Sequence, residues 1–314
     1  MCRNTVWRAI GPLAIFLFTI FLFVGSQSPA RADGGADGFD AQAMLFQYDD
    51  HADLGLRELG TQEKEQARVR DVTFNVPGVK EPVRAYLVVP RTAGPFAGVL
   101  WVHWLGTPET TNREEFLAEA IALAPRGFVS LLVDAMWSAP NWYSHRVPEE
   151  DFANSIRQVV ALRRAMDLLE SQPNVDRERL GYVGHDYGAL YGMLLGGVDH
   201  RARTRIYVAA PASLSEWAFF AHQPRSKVEY LRQNAPLEAT DYLRHAGDVS
   251  TLFQFGARDP YVAHSGTFTL LAATPDPKER RFYEADHTVD APEALRDRAE
   301  WLQHQLGAQP PAAQ

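Results

Sequence analysis

Cysteine is almost absent from this chain. The single one, Cys2, lies near the start, so no internal disulfide framework can form and a cysteine nucleophile is excluded. Long apolar runs are scarce as well. The one candidate, from Ala9 to Val24, follows Arg3 and Arg8 and is short for a membrane span of about 20 residues. Behind it come Gly25, Ser26, Gln27, Ser28 and Pro29, then Ala30-Arg31-Ala32, with small residues at the two positions a signal peptidase reads. Residues 1–32 are therefore expected to be a cleaved secretory signal, with an uncleaved N-terminal anchor as the alternative. Positive charge is also in deficit. Loss of residues 1–32 removes three arginines and no acid, which moves the net charge from −8 to −11. That balance argues against nucleic acid or an anionic membrane as partner. The expected address is secreted or periplasmic, without stable membrane association once the signal is gone.

Cofactor signatures are missing too. No GxGxxG follows the first strand-like run, and no P-loop lysine is present, so no nucleotide cofactor is expected. The pairs His245/Asp248 and His264/Asp259 lack a further ligand at zinc spacing, so no metal is expected. No repeat occurs, and low complexity is confined to a tail over 307–314.

What is present is a globular sequence of 314 residues, 46% of them hydrophobic, enough for a sizeable core. Residues 33–69 read as a polar N-terminal extension holding one helix at most. From Asp71 the texture changes. Val72, Phe74 and Val76 alternate with polar residues, and after Pro77-Gly78 a second strand runs from Val83 to Val89. Four apolar runs then suit strands buried on both faces: Gly98–Val102, Val129–Val133, Gly181–Val183 and Ile206–Ala209. Helical patterns fall between them at about 113–125 and 150–170. Within the second, Ile156, Val159, Val160, Leu162, Met166 and Leu169 keep helical spacing. Such alternation predicts an α/β domain over 70–306 with a mostly parallel central sheet and helices on both faces. Residues 213–245 read as a small helical insertion, placed where a lid would lie. Two late strand-like runs, Leu252–Phe255 and Arg281–Tyr283, precede a closing helix near 292–306.

The most informative stretch is Gly184-His185-Asp186-Tyr187-Gly188, between the apolar run Leu180–Val183 and the helix-like run Ala189–Leu195. Strand, sharp turn and helix put Asp186 at the carboxyl end of a central strand, where open parallel sheets collect their chemistry. A carboxylate is ionised at neutral pH and needs no base to become a nucleophile. Two further strand ends carry matching groups: Asp259 in Gly256-Ala257-Arg258-Asp259-Pro260, and His287 in Ala285-Asp286-His287-Thr288. Asp286 is a competing acid and is expected to point away. His185 reads as a structural residue packed under the turn. His103 either lines the loop after its strand or caps that strand.

These residues resemble the α/β-hydrolase superfamily over about 70–306. The chain order nucleophile, acid, histidine is the order that superfamily uses. The strand pair ahead of His103-Trp104-Leu105-Gly106, the Gly-Ala-Arg-Asp-Pro-Tyr-Val loop and the lack of a large cap look most like the dienelactone hydrolase branch. The elbow Gly-His-Asp-Tyr-Gly instead is similar to that of haloalkane dehalogenases and epoxide hydrolases, where an Asp nucleophile is the rule. The resemblance implies that Asp186 attacks carbon, that His287 activates the hydrolytic water, and that Asp259 orients the imidazole. It places oxyanion or leaving-group donors at the backbone N–H groups of Tyr187 and Trp104.

Chemistry then sorts the substrates. Attack of Asp186 on an ordinary ester would form an anhydride while expelling a far more basic alkoxide. Attack on a saturated carbon bearing halide, or on an epoxide, gives an alkyl ester that water can cleave. The preferred substrate is thus a small, largely apolar haloalkane, haloacid or epoxide. Ester or lactone hydrolysis in the dienelactone hydrolase manner is the first alternative, and an inactive binding protein on the same fold is the second. Aromatic residues that could line the pocket are Trp104, Trp137, Trp142, Tyr143, Tyr187 and Trp217, with His103 beside them. Trp104 or Trp137 would suit a halide, whereas an epoxide needs an acid such as Tyr143, Tyr230 or Tyr242.

Overall fold

The computed structural model describes residues 36–106, 111–215 and 223–307. The expected signal segment, Trp217 and residues 308–314 of the expected tail lie outside them. Among the described residues nine strands form one sheet: β1 (Arg57–Glu63), β2 (Ala67–Phe74), β3 (Val83–Pro90), β4 (Phe96–Val102), β5 (Phe128–Val133), β6 (Val175–His185), β7 (Ala202–Val208), β8 (Ser250–Gly256) and β9 (Lys278–Tyr283). Their spatial order is β1-β2-β3-β5-β4-β6-β7-β8-β9. The first three strands and β5 pair antiparallel, and every pairing from β5 through β4 to β9 is parallel.

Burial explains why the centre is parallel. Every residue of β4 and β5 is buried, as expected for strands covered on both faces by crossover helices. The helix Asp151–Glu170 (α4) ends just before Pro173, where the periodic pattern stops. It packs beside the helix Tyr187–Val198 (α5), while helices Leu117–Leu123 (α2) and Pro292–Leu306 (α9) pack together. Between them run the short helices α1 (Ala36–Ala43), α3 (Trp142–His145), α6 (Lys227–Asn234), α7 (Ala239–Arg244) and α8 (His264–Ala273).

Besides the single-turn α3, a strand and a helix went unread in the sequence. All seven residues of β1 are exposed, so it carries no apolar alternation to announce it; its pairing with β2 holds it in place. Its bulge between Glu58 and Gly60 adds to the irregularity. The helix α8, lodged between β8 and β9, has apolar residues on too many sides to show a clear stripe. Within the interval read as a lid, α6 and α7 are bound into the body. Tyr242 and Leu237 are fully buried, and the Tyr230 hydroxyl donates to Asp151 at the start of α4 (2.7 Å). Among the described residues, no helix is long and apolar enough to cross a membrane.

Candidate active site

The carboxyl ends of β4, β6, β8 and β9 meet around Asp186. The chain leaves β6 and enters α5 with a single residue between them, and that residue has φ +55° and ψ −110°. A non-glycine side chain is strained in this region and persists only when its surroundings fix it. Gly188, in the first turn of α5, supplies part of the fixing. A Cβ there would collide with the carbonyl of Val102 at the end of β4, so only glycine lets the helix start so close to the sheet. The Tyr182 hydroxyl also donates to the Gly188 carbonyl (2.6 Å).

His287 stands between two carboxylates. Its Nδ1 lies 2.8 Å from Asp259 Oδ2, and its Nε2 lies 4.0 Å from Asp186 Oδ1. The second distance is too long for a hydrogen bond, so Asp186 acts on the imidazole chiefly through its charge. Burial pulls the imidazolium down, but the two carboxylates outweigh it and raise the His287 pKa to about 9. Asp259 in turn accepts backbone N–H groups of Tyr261 (2.8 Å) and Val262 (3.1 Å). Burial would raise its carboxyl, yet its bonds to His287 and to those N–H groups hold it below the usual range. Asp286 is exposed and accepts from Thr288 instead.

The two oxygens of Asp186 differ. Oδ2 accepts the Leu105 N–H (3.0 Å). Oδ1 is buried and has no hydrogen-bond partner. The amide that meets Asp186 is that of Leu105, one residue beyond the expected Trp104, whose N–H is taken by Glu115 Oε2 (2.8 Å). The Tyr187 N–H opens α5, where the first amides have no carbonyl to reach within the helix.

Several expected pocket residues turn out to build the loops. His103 is buried; its Nε2 accepts the Ala135 N–H (3.1 Å), which leaves the proton on Nδ1 facing the Trp104 carbonyl (2.9 Å). Burial depresses its pKa and keeps it neutral. The Trp137 indole is buried and donates to the Trp104 carbonyl (3.2 Å), so it offers no donor to a leaving group. Tyr230 and Tyr242 are likewise engaged, with Asp151 and with the Pro236 carbonyl. Trp142 and Tyr143 are half-buried, and the Trp142 ring meets Tyr187 edge-on at 6.0 Å. Trp104 is half-buried, its ring 5.5 Å from that of His287. Tyr261, half exposed and edge-on to His287 at 5.1 Å, joins this group without having been anticipated.

Glu115 was also unforeseen. It bonds His185 Nδ1 (2.6 Å), and His185 Nε2 bonds the His287 carbonyl (2.9 Å). No local signal marks Glu115, which sits in the charged string Arg113-Glu114-Glu115 ahead of α2. Among the described residues, no three His, Cys, Asp or Glu side chains converge as a metal site.

No protein-family model matches the chain, and no curated protein matches it in sequence. Similar solved structures do exist. The acetyl xylan esterase from Paenibacillus sp. R4 is 16% identical, with a TM-score of 0.69 over 85% of this chain and 93% of its own. Acetyl xylan esterase 1 from Thermoanaerobacterium sp. JW/SL YS485 is 15% identical, with a TM-score of 0.68 over the same shares. A 2,6-dihydroxy-pseudo-oxynicotine hydrolase is 19% identical, with a TM-score of 0.60 over 76% of this chain and 68% of its own. The sheet order and these likenesses establish the α/β-hydrolase fold.

Proposed function

We propose that this α/β-hydrolase-fold chain hydrolyses a small, largely apolar organic molecule through a covalent ester on Asp186. One observation carries the reading: Oδ2 of Asp186 is held by the Leu105 N–H while Oδ1 is buried, unpartnered and turned toward His287. A buried carboxylate oxygen without a donor is costly, and such costs gather at reactive sites.

In the first step Oδ1 forms a bond to a carbon bearing halide, and the halide leaves with the bonding pair. With an epoxide the C–O bond opens, and the alkoxide takes a proton from an acid at the site or from solvent. In the second step His287 Nε2 takes a proton from water, and the hydroxide adds to Cγ of Asp186. The Leu105 N–H already points at the oxygen that becomes negative in that adduct. Collapse breaks the Cγ–Oδ1 bond; the departing alkoxide takes the proton from His287, and the new carboxyl group, with one oxygen from water, releases its proton to solvent.

A second reading has Asp186 as a general base that draws a proton from water attacking an ester. The acetyl-ester substrates in the names of two structural neighbours favour it. The two readings part in one experiment. The His287→Ala protein is mixed briefly with haloalkanes, haloacids, epoxides and simple esters, and its intact mass is measured. An added alkyl mass on Asp186 is the expected result. No adduct from any compound, with wild type still cleaving esters, would leave Asp186 as the base.

A further inference from the structure

We infer that Glu115 and His185 form a proton-sharing pair that positions the reacting groups, binding the elbow, the loop after β4 and the His287 loop into one unit. The geometry is direct. His185 immediately precedes Asp186. Its Nε2 faces the His287 carbonyl at 2.9 Å, and a carbonyl can only accept, so Nε2 carries a proton. Its Nδ1 faces Glu115 Oε1 at 2.6 Å. One more proton must lie between them, on the imidazole as an ion pair or on the carboxyl as a neutral pair. The other oxygen of Glu115 takes the Trp104 N–H at 2.8 Å. The next amide along, Leu105, is the one that holds Asp186 Oδ2.

The His185 side chain is 2% exposed and that of Glu115 16%. Trp104 stacks on His185 with rings 5.3 Å apart and 10° from parallel, which shields the pair from water. Behind it, Glu119 pairs with Arg298 (2.6 Å), whose Nε is held by Gln254 (2.9 Å). Glu119 thus has its own cation, and Glu115 and His185 balance each other. His185 touches no reacting atom, so the pair acts through His287 and, by way of Glu115 and the Trp104 N–H, on the neighbouring Leu105 amide. Its service to catalysis rests on the reading of Asp186 as nucleophile, whereas its effect on geometry does not.

The test follows the His287 imidazole by NMR titration, which needs no substrate. In Glu115→Gln the amide oxygen can accept the Trp104 N–H, and the amide nitrogen can donate to a neutral His185. That variant is expected to fold and to leave the His287 titration unchanged. In Glu115→Ala, and in His185→Asn, which is too short to span both partners, His287 is expected to titrate lower by about one unit or more, its hold between two carboxylates loosened. Either variant, once circular dichroism shows it folded, decides the matter, and an unchanged His287 titration overturns the inference. The wild type gives a further reading: a far-downfield proton shared between His185 Nδ1 and Glu115 Oε1, lost in Glu115→Gln, is expected, and its absence at every pH also overturns it. Should these shifts appear while no alkyl adduct forms on Asp186, only the covalent reading falls.

Discussion

Nε2 of His287 stands 4.0 Å from Oδ1 of Asp186, close enough for charge to act and too far for a hydrogen bond. This oxygen is therefore not tied to the imidazole, as a hydroxyl nucleophile that must lose its proton would be. The coupling runs through charge. While Asp186 is negative, His287 is held as a cation, its pKa raised to about 9. On the proposed covalent route, an ester on Asp186 would carry no charge, so its formation would release one of the two restraints and let His287 become a base.

That coupling predicts two different pKa values for one residue. NMR should place His287 near 9 in the free protein. The decay of a preformed alkyl ester should rise with pH through a clearly lower value, because only Asp259 still restrains the proton. Identical values in the two measurements would disconnect the proton from the charge on Asp186.

Stability should follow the same proton. A raised pKa in the folded state stabilises fully below the unfolded value near 6.5 and loses its effect as pH climbs through about 9. Urea unfolding of wild type against His287→Gln should show an advantage that shrinks by about 3 kcal/mol between pH 6 and 10. The opposite trend would mean that His287 is neutral in the folded state.

The choice between acids is testable by paired variants. Asp259→Asn removes the partner of His287 Nδ1 and should lower kcat by about 10³-fold or more. Asp286→Asn changes an exposed turn and should leave kcat within about twofold, since surface changes away from such features are small.

Trp137→Phe should cost stability without costing chemistry. The variant loses the indole bond to the Trp104 carbonyl, worth about 1 kcal/mol, visible as a fall in Tm. KM for a halogenated substrate should stay within about twofold. A large rise in KM would return the indole to the pocket.

Legibility in the sequence divided along physical lines. Asp186, Asp259 and His287 each follow a strand in a short loop, so strand ends alone brought them to one edge of the sheet. Long periodic elements such as α4 were equally plain, because burial imposes their spacing. Leu105 and Trp104 are different. Which of two adjacent amides faces Asp186 depends on Glu115 drawing one of them away, a contact made only when the chain has folded. His185 showed itself as structural, but its partner Glu115 is 70 residues distant in sequence, and no spacing links them. Strand β1 lacked the apolar face by which strands are usually read.

The polarity that hid β1 has a further effect. Arg70 and Arg68 of β2 pair with Glu58 and Glu63 of β1, and at the opposite border β9 carries Lys278, Glu279, Arg280 and Arg281. Both outer strands thus present mixed charge along their open backbones. A second copy adding its own strand there would have to dehydrate those ions, a cost that opposes edge-to-edge pairing.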